Sequence, residues 1–175
     1  SYVPSLAELV VVGGTNGGGT CTYGGVSFAA STGAGNDIVL LEVNAATGAF
    51  ISGTAAGGSG SSNEDALSSC YDASTGNVML SGYFNSPSFT LGSTTLTNST
   101  TAGGVDDMFY TSYNPSTNTF VWAKSAGGTG AGSDRARGIC SNGTGGIIIG
   151  GLVAGNATCT FPSTGTVQIT NARTT

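Results

Sequence analysis

The sequence contains no histidine and very little charge. Of its 175 residues only 7% are Asp, Glu, Lys or Arg, and four basic residues against nine acidic ones give a net charge of −5. Without histidine the chain cannot supply a Ser-His-Asp triad, a Cys-His pair or a histidine-ligated metal. Four basic residues are too few for the cationic surface that nucleic-acid binding needs. The composition therefore argues against nucleic-acid partners and against most families of hydrolase.

Long apolar runs and strong helix formers are also scarce. The most apolar stretch, 147–153, is short and is interrupted by Gly150 and Gly151, so it falls well below the roughly 18 residues of a membrane-spanning helix. Glycine occupies 31 positions, and Gly, Ser, Thr and Asn all disfavour helix interiors. We therefore predict an all-β chain with no membrane insertion.

An internal repeat with a period of about 70 residues runs through the chain, and such periodicity indicates a repeat architecture. Segment 36–50 aligns with segment 106–120, so that Asp37 matches Asp107 and Phe50 matches Phe120 at one constant offset. The strand-like segments 10–14, 78–82 and 147–151 each end in a small residue followed by glycine, and they recur at nearly the same spacing. The chain holds about two and a half copies.

Each copy is predicted to contain four strands, with antiparallel hairpins between the first and second and between the third and fourth, because these links are too short for parallel crossovers. A Ser/Thr-rich excursion joins the second strand to the third. The predicted units are 1–65, which lacks most of its first strand, 66–135, which is complete, and 136–175, which is partial. Gly48 and Asn118 share one turn position. Glycine and asparagine tolerate the left-handed conformation that a type I turn with a bulge requires.

Several strands are apolar on consecutive residues, for example 9–12, 38–41 and 147–149. Side chains alternate between the two faces of a strand, so these runs indicate sheets that are covered on both faces. Small antiparallel sheets packed between two others are typical of β-propellers. The predicted fold is about two and a half four-stranded blades of a β-propeller or of a propeller-like stack.

Three motifs resemble the SBBP-type β-propeller repeat of secreted and surface proteins. The first is Gly127-Gly128 with Asp134 and Ala136, the second is Asp72 with the segment 76–82, and the third is Asp107 and Phe109 with Trp122. The first unit departs from the pattern, since Ser52 takes the place of Trp122. The resemblance implies a scaffold, and it implies no particular chemistry.

Four cysteines form an even set without the Cys-x-x-Cys spacing of zinc sites, which favours disulfides. They are Cys21, Cys70, Cys140 and Cys159. Three connectivities are possible, and we favour Cys140–Cys159 within one unit together with Cys21–Cys70 between two units. Disulfides indicate an oxidising compartment, so we expect an extracellular or cell-surface protein.

Three asparagines stand in Asn-x-Ser/Thr sequons and are candidate glycosylation sites: Asn98, Asn142 and Asn156. Sequons that carry sugar lie on exposed loops of secreted proteins. Asn142 falls in a predicted hairpin turn, whereas Asn98 and Asn156 fall beside predicted excursions from the sheets. We expect Asn98 and Asn156 to be the most accessible of the three.

Four carboxylates recur at turns or at strand starts: Asp37, Asp72, Asp107 and Asp134. Calcium needs several converging oxygen ligands, and each loop offers only one or two carboxylates. We therefore interpret these residues as acceptors of backbone N–H groups that hold the turns, and we predict neither a metal nor a cofactor. The doublets 64–65 and 106–107 place adjacent carboxylates that point apart, so no enzymatic acid/base pair is predicted.

The sequence predicts a non-enzymatic extracellular module, structural or adhesive, and a segment of a surface fibre or filament. The alternative is a propeller segment that binds glycans or protein through the Ser/Thr-rich excursions around Tyr23, Phe89 and Phe161, because loops on rigid scaffolds carry function. A closed propeller needs about four to eight blades. We therefore expect the apolar end faces to contact further repeats of the same chain or further copies of it.

Overall fold

The computed structural model describes residues 1–15, 20–29, 35–58, 61–100, 104–154, 158–162 and 167–170. Within these ranges the chain is all-β, with sixteen strands and no helix. No helix that could cross a membrane occurs among the described residues. The predicted all-β class is confirmed at this level.

Two four-stranded antiparallel sheets have the same strand order. The first sheet has the order β1-β2-β5-β6, formed by Tyr2–Val3, Glu8–Gly14, Ile38–Asn44 and Phe50–Ala56. The second has the order β7-β8-β11-β12, formed by Glu64–Asp72, Asn77–Phe84, Asp107–Asn114 and Thr119–Ala126. The short strand β1 pairs with β2 as β7 pairs with β8. The first sheet therefore contains a short remnant of the strand that the sequence suggested was largely missing.

A third sheet and three hairpins complete the described structure. The third sheet pairs β13, Arg135–Ser141, with β14, Ile147–Leu152. Each hairpin follows the second strand of a sheet: β3 and β4 (Thr20–Tyr23 and Val26–Ala29), β9 and β10 (Ser88–Leu91 and Thr94–Thr97), and β15 and β16 (Thr158–Phe161 and Val167–Thr170). The Ser/Thr-rich excursions of the sequence are thus ordered two-stranded ribbons.

Strand register fixes which residues of the sheets are equivalent. Gly13 pairs with Val39, and Gly82 pairs with Phe109, the repeat equivalent of Val39. Gly82 also faces Ala66, as Gly151 faces Ala136. The equivalent glycines are therefore those at positions 13, 82 and 151, which are evenly spaced along the chain. The sequence alignment of residue 14 with Gly82 was wrong by one position, because the two apolar runs look alike in either register.

The predicted turn geometry between the third and fourth strands is confirmed. Gly48 has φ 69° and Asn118 has φ 54°. The pairing that closes on each of these turns carries a register shift at the same place, after Glu42 in the first sheet and after Ser112 in the second. Equivalent sequence positions therefore produce the same left-handed residue and the same bulge.

The sheets pack face to face through apolar clusters. Two clusters join the first and second sheets: one contains Ile38, Phe84, Phe89 and Phe109, and the other contains Val10, Leu40, Val78, Leu80 and Tyr113. A third cluster joins the second and third sheets through Met79, Met108, Ala136, Ile139 and Cys159. Alternate residues of β8 thus pack against the first sheet and against the third sheet. Both faces of the strand are covered, which explains its uninterrupted apolar run.

The excursion of the second unit is not the fully exposed surface that the sequence suggested, whereas the described part of the β3–β4 excursion is largely exposed. In β9 and β10 the residues Phe89, Leu91 and Leu96 are buried, whereas Ser88, Thr90 and Thr95 lie on the opposite face and are more open to solvent. This alternation is that of a ribbon with one face on a core. The β9–β10 hairpin covers the junction between the first and second sheets, and its aromatic side chain belongs to that core.

Candidate functional site

Buried carboxylates lie at the starts of the third strands, where one sheet passes to the next. Asp107 accepts hydrogen bonds from the backbone N–H of Ser99 at 2.6 Å and from its hydroxyl at 2.8 Å. A side chain at Gly127 would overlap with the Asp107 carboxylate, and one at Gly57 would overlap with the equivalent Asp37. The repeated glycine is therefore required by the close approach of each carboxylate to the backbone.

A second pair of equivalent carboxylates, Glu64 and Asp134, stands beside the first pair. Glu64 accepts the backbone N–H of Gly58 at 2.8 Å and that of Ser86 at 3.2 Å. Asp134 accepts the N–H of Ala154 at 3.2 Å. Burial raises the pKa of both carboxyl groups above their ordinary values. These groups therefore tie loops from two neighbouring units to the strand starts.

Asp72 holds the turn between β7 and β8 and also reaches the third sheet. Its carboxylate accepts the backbone N–H and the hydroxyl of Ser74 and the hydroxyl of Thr75. The Ser141 hydroxyl donates to the same carboxylate at 2.9 Å.

No group of three or more His, Cys, Asp or Glu residues in the described ranges is arranged to hold a metal ion. The carboxylates contact backbone and hydroxyl donors, which is the role of turn-holding residues.

The pKa of Asp107 is raised well above its ordinary value of 3.8. Burial raises its pKa to about 6, the charges of Asp134 and Asp106 act in the same direction, and the hydrogen bonds from Ser99 oppose them. Asp106 itself forms an ion pair with Arg135, whose guanidinium lies 4.2 Å from the centre of the Tyr83 ring. The Arg135 guanidinium is thus paired with Asp106, the residue next to Asp107.

We expect the protein to lose stability as pH rises through the pKa of Asp107. The folded-state pKa lies above the ordinary value of 3.8, so the stabilising contribution is present below that value and is lost through about pH 6. The loss for a shift of this size is about 3 kcal/mol at most. Urea unfolding at about pH 4.5 and about pH 7.5 should show about 2 kcal/mol of this loss, because pH 4.5 already lies within the interval.

The matched variant for this test is Asp107→Asn, whose amide can still accept from the Ser99 N–H and donate to its hydroxyl. It should reduce the pH dependence over the same interval to the part that Glu64 and Asp134 contribute, and it should raise stability at neutral pH. If the wild-type free energy of unfolding stays constant or increases between the two pH values, the carboxyl group is not held in its protonated form by the fold.

The four cysteines are free thiols in the structure, so neither favoured disulfide is present. Cys21 lies beside the outward face of the first sheet, among Val11 and Leu41, whereas Cys70 lies in the second sheet on the far side. Cys159 is buried in the cluster between the second and third sheets, whereas Cys140 pairs with the outward-facing Ile148 and is exposed. Sequence spacing alone did not reveal that the partners occupy opposite faces.

We expect the thiols to differ sharply in reactivity. Burial raises the pKa of Cys159 to about 12, and the charges of Asp134 and Asp107 add to the effect. The reactive thiolate is therefore suppressed there, whereas Cys140 is exposed. Iodoacetamide on native protein should label Cys140 and spare Cys159, and denatured protein should take up four labels without a reductant. Fewer than four labels under denaturing conditions would reveal a disulfide.

The sequon residues occupy three different situations. Asn98 is only 1% exposed, and its amide donates to the carbonyls of Phe84 and Val105. The expectation that Asn98 is accessible is therefore wrong, because its side chain fastens the end of β8 to the following loop. Asn142 is exposed in the β13–β14 turn, and Asn156 lies outside the described residues. Use of Asn142 and Asn156 for glycosylation stays a prediction.

Two outward faces of the stack lack a covering sheet among the described residues. The outer face of the first sheet, formed by Leu9, Val11, Val39 and Leu41, borders a groove of about 430 Å³ beneath the β3–β4 hairpin. Val11 is 47% exposed, whereas its equivalent in the second sheet, Leu80, is 1% exposed. The outer face of the third sheet presents Ile148 and Leu152, at 59% and 42% exposure.

The two outward faces are only partly predictable from the sequence. The apolar runs 9–12 and 147–149 indicate them, but the β3–β4 hairpin beside the face of the first sheet was not predicted. The alternation of Phe89 and Leu91 with polar residues, followed by Gly92 and Leu96, is the signal that marks such a hairpin. Applied to the first unit, it would have placed Cys21 and Tyr23 on the inward face of an equivalent ribbon.

Comparison of the chain with protein-family models, with curated proteins and with solved structures gives no match. The resemblance to the SBBP-type repeat therefore stays a prediction that depends on the motifs of the sequence.

Proposed function

We propose that the chain is a non-enzymatic extracellular structural or adhesive module, built as about two and a half blades of a β-propeller or of an open propeller-like stack. In this proposal it forms a segment of a surface fibre by joining further repeats end to end. The repeated strand order of the first two sheets supports the stack. The scarcity of charge, at 7% of residues, supports close packing between copies.

A single observation carries the proposal: each outward face has the residues that an inward face uses elsewhere in the molecule. The outward Ile148 is equivalent to Met79 and Val10, which are 2% and 0% exposed within their junctions. The outward Val11 is equivalent to the buried Leu80. A contact between the third sheet of one molecule and the first sheet of another would bring together the same positions of the first and second strands that meet at the two junctions within the chain, although the described third sheet has only the strands β13 and β14. Such a head-to-tail contact gives a ring or a filament.

The extracellular part of the proposal depends on composition and on the sequons, since the described cysteines form no disulfide. A Gly-, Ser-, Thr- and Asn-rich surface with few lysines suits a solvent-exposed fibre. Asn142 is exposed in a turn and so is open to glycosylation.

Sedimentation velocity and light scattering test the proposal, at protein concentrations from about 1 to about 100 µM. We expect concentration-dependent association of the wild type, and monomers for Val11→Lys and for Ile148→Lys. Leu67→Lys is the matched control, because Leu67 is 45% exposed but lies at a bulge of β7 away from both outer faces. A folded wild-type monomer at every concentration would contradict the proposal.

A second candidate function is glycan binding, and one groove favours it. This groove, of about 480 Å³, lies between β6, the β9–β10 hairpin and the start of β12. Its lining includes the hydroxyl-bearing residues Thr54, Thr90, Ser93 and Thr119, together with Phe120. Hydroxyl and aromatic groups suit neutral sugars. Binding to a neutral-glycan array that Thr119→Lys abolishes would support this function, and a blank array would count against it.

A further inference from the structure

At the junction of the first and second sheets, the hairpin of the later unit covers the third and fourth strands of the earlier one. Phe89 of β9 is buried in one cluster with Ile38, and Ala56 packs against the same cluster. Ile38 begins the third strand of the first sheet, and Ala56 ends its fourth strand. The hairpin thus lies over the end of the sheet where these two strands meet.

The junction of the second and third sheets has the same construction. Cys159 of β15 is buried with Met108 and Ala126, which are the equivalents of Ile38 and Ala56. The backbone N–H of Thr160 donates to the carbonyl of Gly127 at 2.9 Å, forming an isolated bridge from the hairpin to the end of the fourth strand. Both junctions therefore share the contact of a hairpin residue with a large apolar residue and an alanine, and the second junction adds the backbone bridge from Thr160 to Gly127.

The β3–β4 hairpin occupies the same place in the first unit. It contacts its own sheet through Tyr23, whose ring centre lies 5.9 Å from that of Phe50, but no described sheet of another unit lies under it. Cys21 is the equivalent of Cys159, and Thr22 is the equivalent of Thr160. Tyr23 of this hairpin is 40% exposed. Between the hairpin and the outer face of the first sheet lies the groove of about 430 Å³, whose wall contains Cys21 and Val39.

We propose that this groove receives the third and fourth strands of another unit of the same repeat, a partner defined by a large apolar residue and an Ala-Gly pair at the equivalent positions. This inference rests on the proposed function and deepens it by naming the partner, a complete four-stranded unit, which the described third sheet with its strands β13 and β14 does not supply. The incoming apolar side chain fills the groove against Cys21. The incoming glycine carbonyl accepts the backbone N–H of Thr22, as the Gly127 carbonyl accepts that of Thr160.

The register of the chain defines the probe. Ser1 is equivalent to Cys70, because Ser1 and Cys70 stand opposite Val10 and Met79 on their neighbouring strands. A second copy of residues 66–139 fused ahead of Ser1 therefore adds one complete unit in register and leaves the whole natural chain in place. It supplies its own Met108 and Ala126 to the groove. In repeat proteins such a nearest-neighbour contact adds an interface term to stability.

The readout is alkylation of Cys21 at a concentration where the protein is monomeric, because association would also cover Cys140, the exposed thiol at the other end that serves as the internal standard. We expect the added unit to slow alkylation of Cys21 by on the order of tenfold relative to Cys140. The matched control is the same extended chain with Met108→Lys and Ala126→Lys in the added copy only, which should restore reactivity at Cys21.

The proposal is overturned if Cys21 in the extended chain reacts as fast as in the natural chain. An added unit that remains protease-sensitive while the natural part is folded overturns it equally, because the same residues fold when they follow the first sheet. Failure of the proposed function is distinguishable. Protection of Cys21 in the extended chain, together with a natural chain that never self-associates, would contradict end-to-end assembly and still support the docking plan.

Discussion

Gly82→Ala is expected to be among the most damaging single substitutions in this chain, at about 3 kcal/mol or more of unfolding free energy. A β-carbon at Gly82 would overlap with the Asp65 carbonyl oxygen and would lie 2.8 Å from the Phe109 ring. The cause is the bulge between Ala66 and Ser68, which brings the β7 backbone over Gly82. The Asp65 backbone cannot move aside as a flexible side chain can. The substitution would therefore displace the strands and the Phe109 ring at the junction of the first two sheets.

Two equivalent glycines make this prediction specific. Gly151→Ala should be similarly damaging, because its β-carbon would overlap with the Arg135 carbonyl across a bulge at the same place. Gly13→Ala is the matched control. No described atom lies within 4 Å of a β-carbon at Gly13, since β1 is too short to reach it. Its expected effect is within about 1 kcal/mol and can be stabilising, through the loss of unfolded-state entropy.

Urea unfolding of the three variants measures these effects. Equal losses at positions 13 and 82 would contradict the assignment, because they would show that the glycine is required by the strand itself and not by the bulge that faces it.

Phe89→Ala has the second-largest expected effect, a loss of about 3–5 kcal/mol. Phe89 is 2% exposed and contacts the rings of Phe84 and Phe109, with centroid distances of 4.8 and 5.5 Å. Its removal leaves a cavity between two rigid sheets that cannot close easily. The control is Ser88→Ala on the exposed face of the same strand, with an expected change below about 0.5 kcal/mol.

The Phe89 variant decides between two interpretations of the Ser/Thr-rich excursions. A cost near that of a core phenylalanine supports a hairpin that is part of the junction. A cost below about 1 kcal/mol would instead indicate the exposed, functional loop that composition suggested. Chemical denaturation with fluorescence of Trp122, the single tryptophan, follows both variants.

Local signals predicted the parts of the fold that depend on a few neighbouring residues. The turns at Gly48 and Asn118 follow from left-handed tolerance at one repeat position, and the third strands follow from their apolar runs. The repeat offset was visible in segments 36–50 and 106–120, but the match of residue 14 to Gly82 failed. The register is fixed because Gly13 pairs with Val39 and Gly82 pairs with Phe109. Such pairing between strands cannot be deduced from the sequence of one strand alone.

The errors at candidate sites share one physical cause. A sequon, a cysteine spacing or a Ser/Thr-rich stretch reports which groups are present, but not the face of a sheet on which they lie. Asn98 is polar yet buried because two carbonyl groups satisfy its amide. Cys140 and Cys159 are near in sequence yet face apart. The role of the recurrent carboxylates was easier to predict from the sequence, because a carboxylate in a turn commonly accepts hydrogen bonds from nearby backbone N–H groups.

Footprinting of the apolar side chains with a photoactivated carbene measures whether the end faces of the stack form, between molecules, the contacts that equivalent residues form at its internal junctions. We expect labelling of Val11 and Ile148 to fall as protein concentration rises from about 1 to about 100 µM, whereas labelling of the exposed Leu67 should stay constant. Unchanged labelling of Val11 and Ile148 over the whole range would contradict end-to-end assembly.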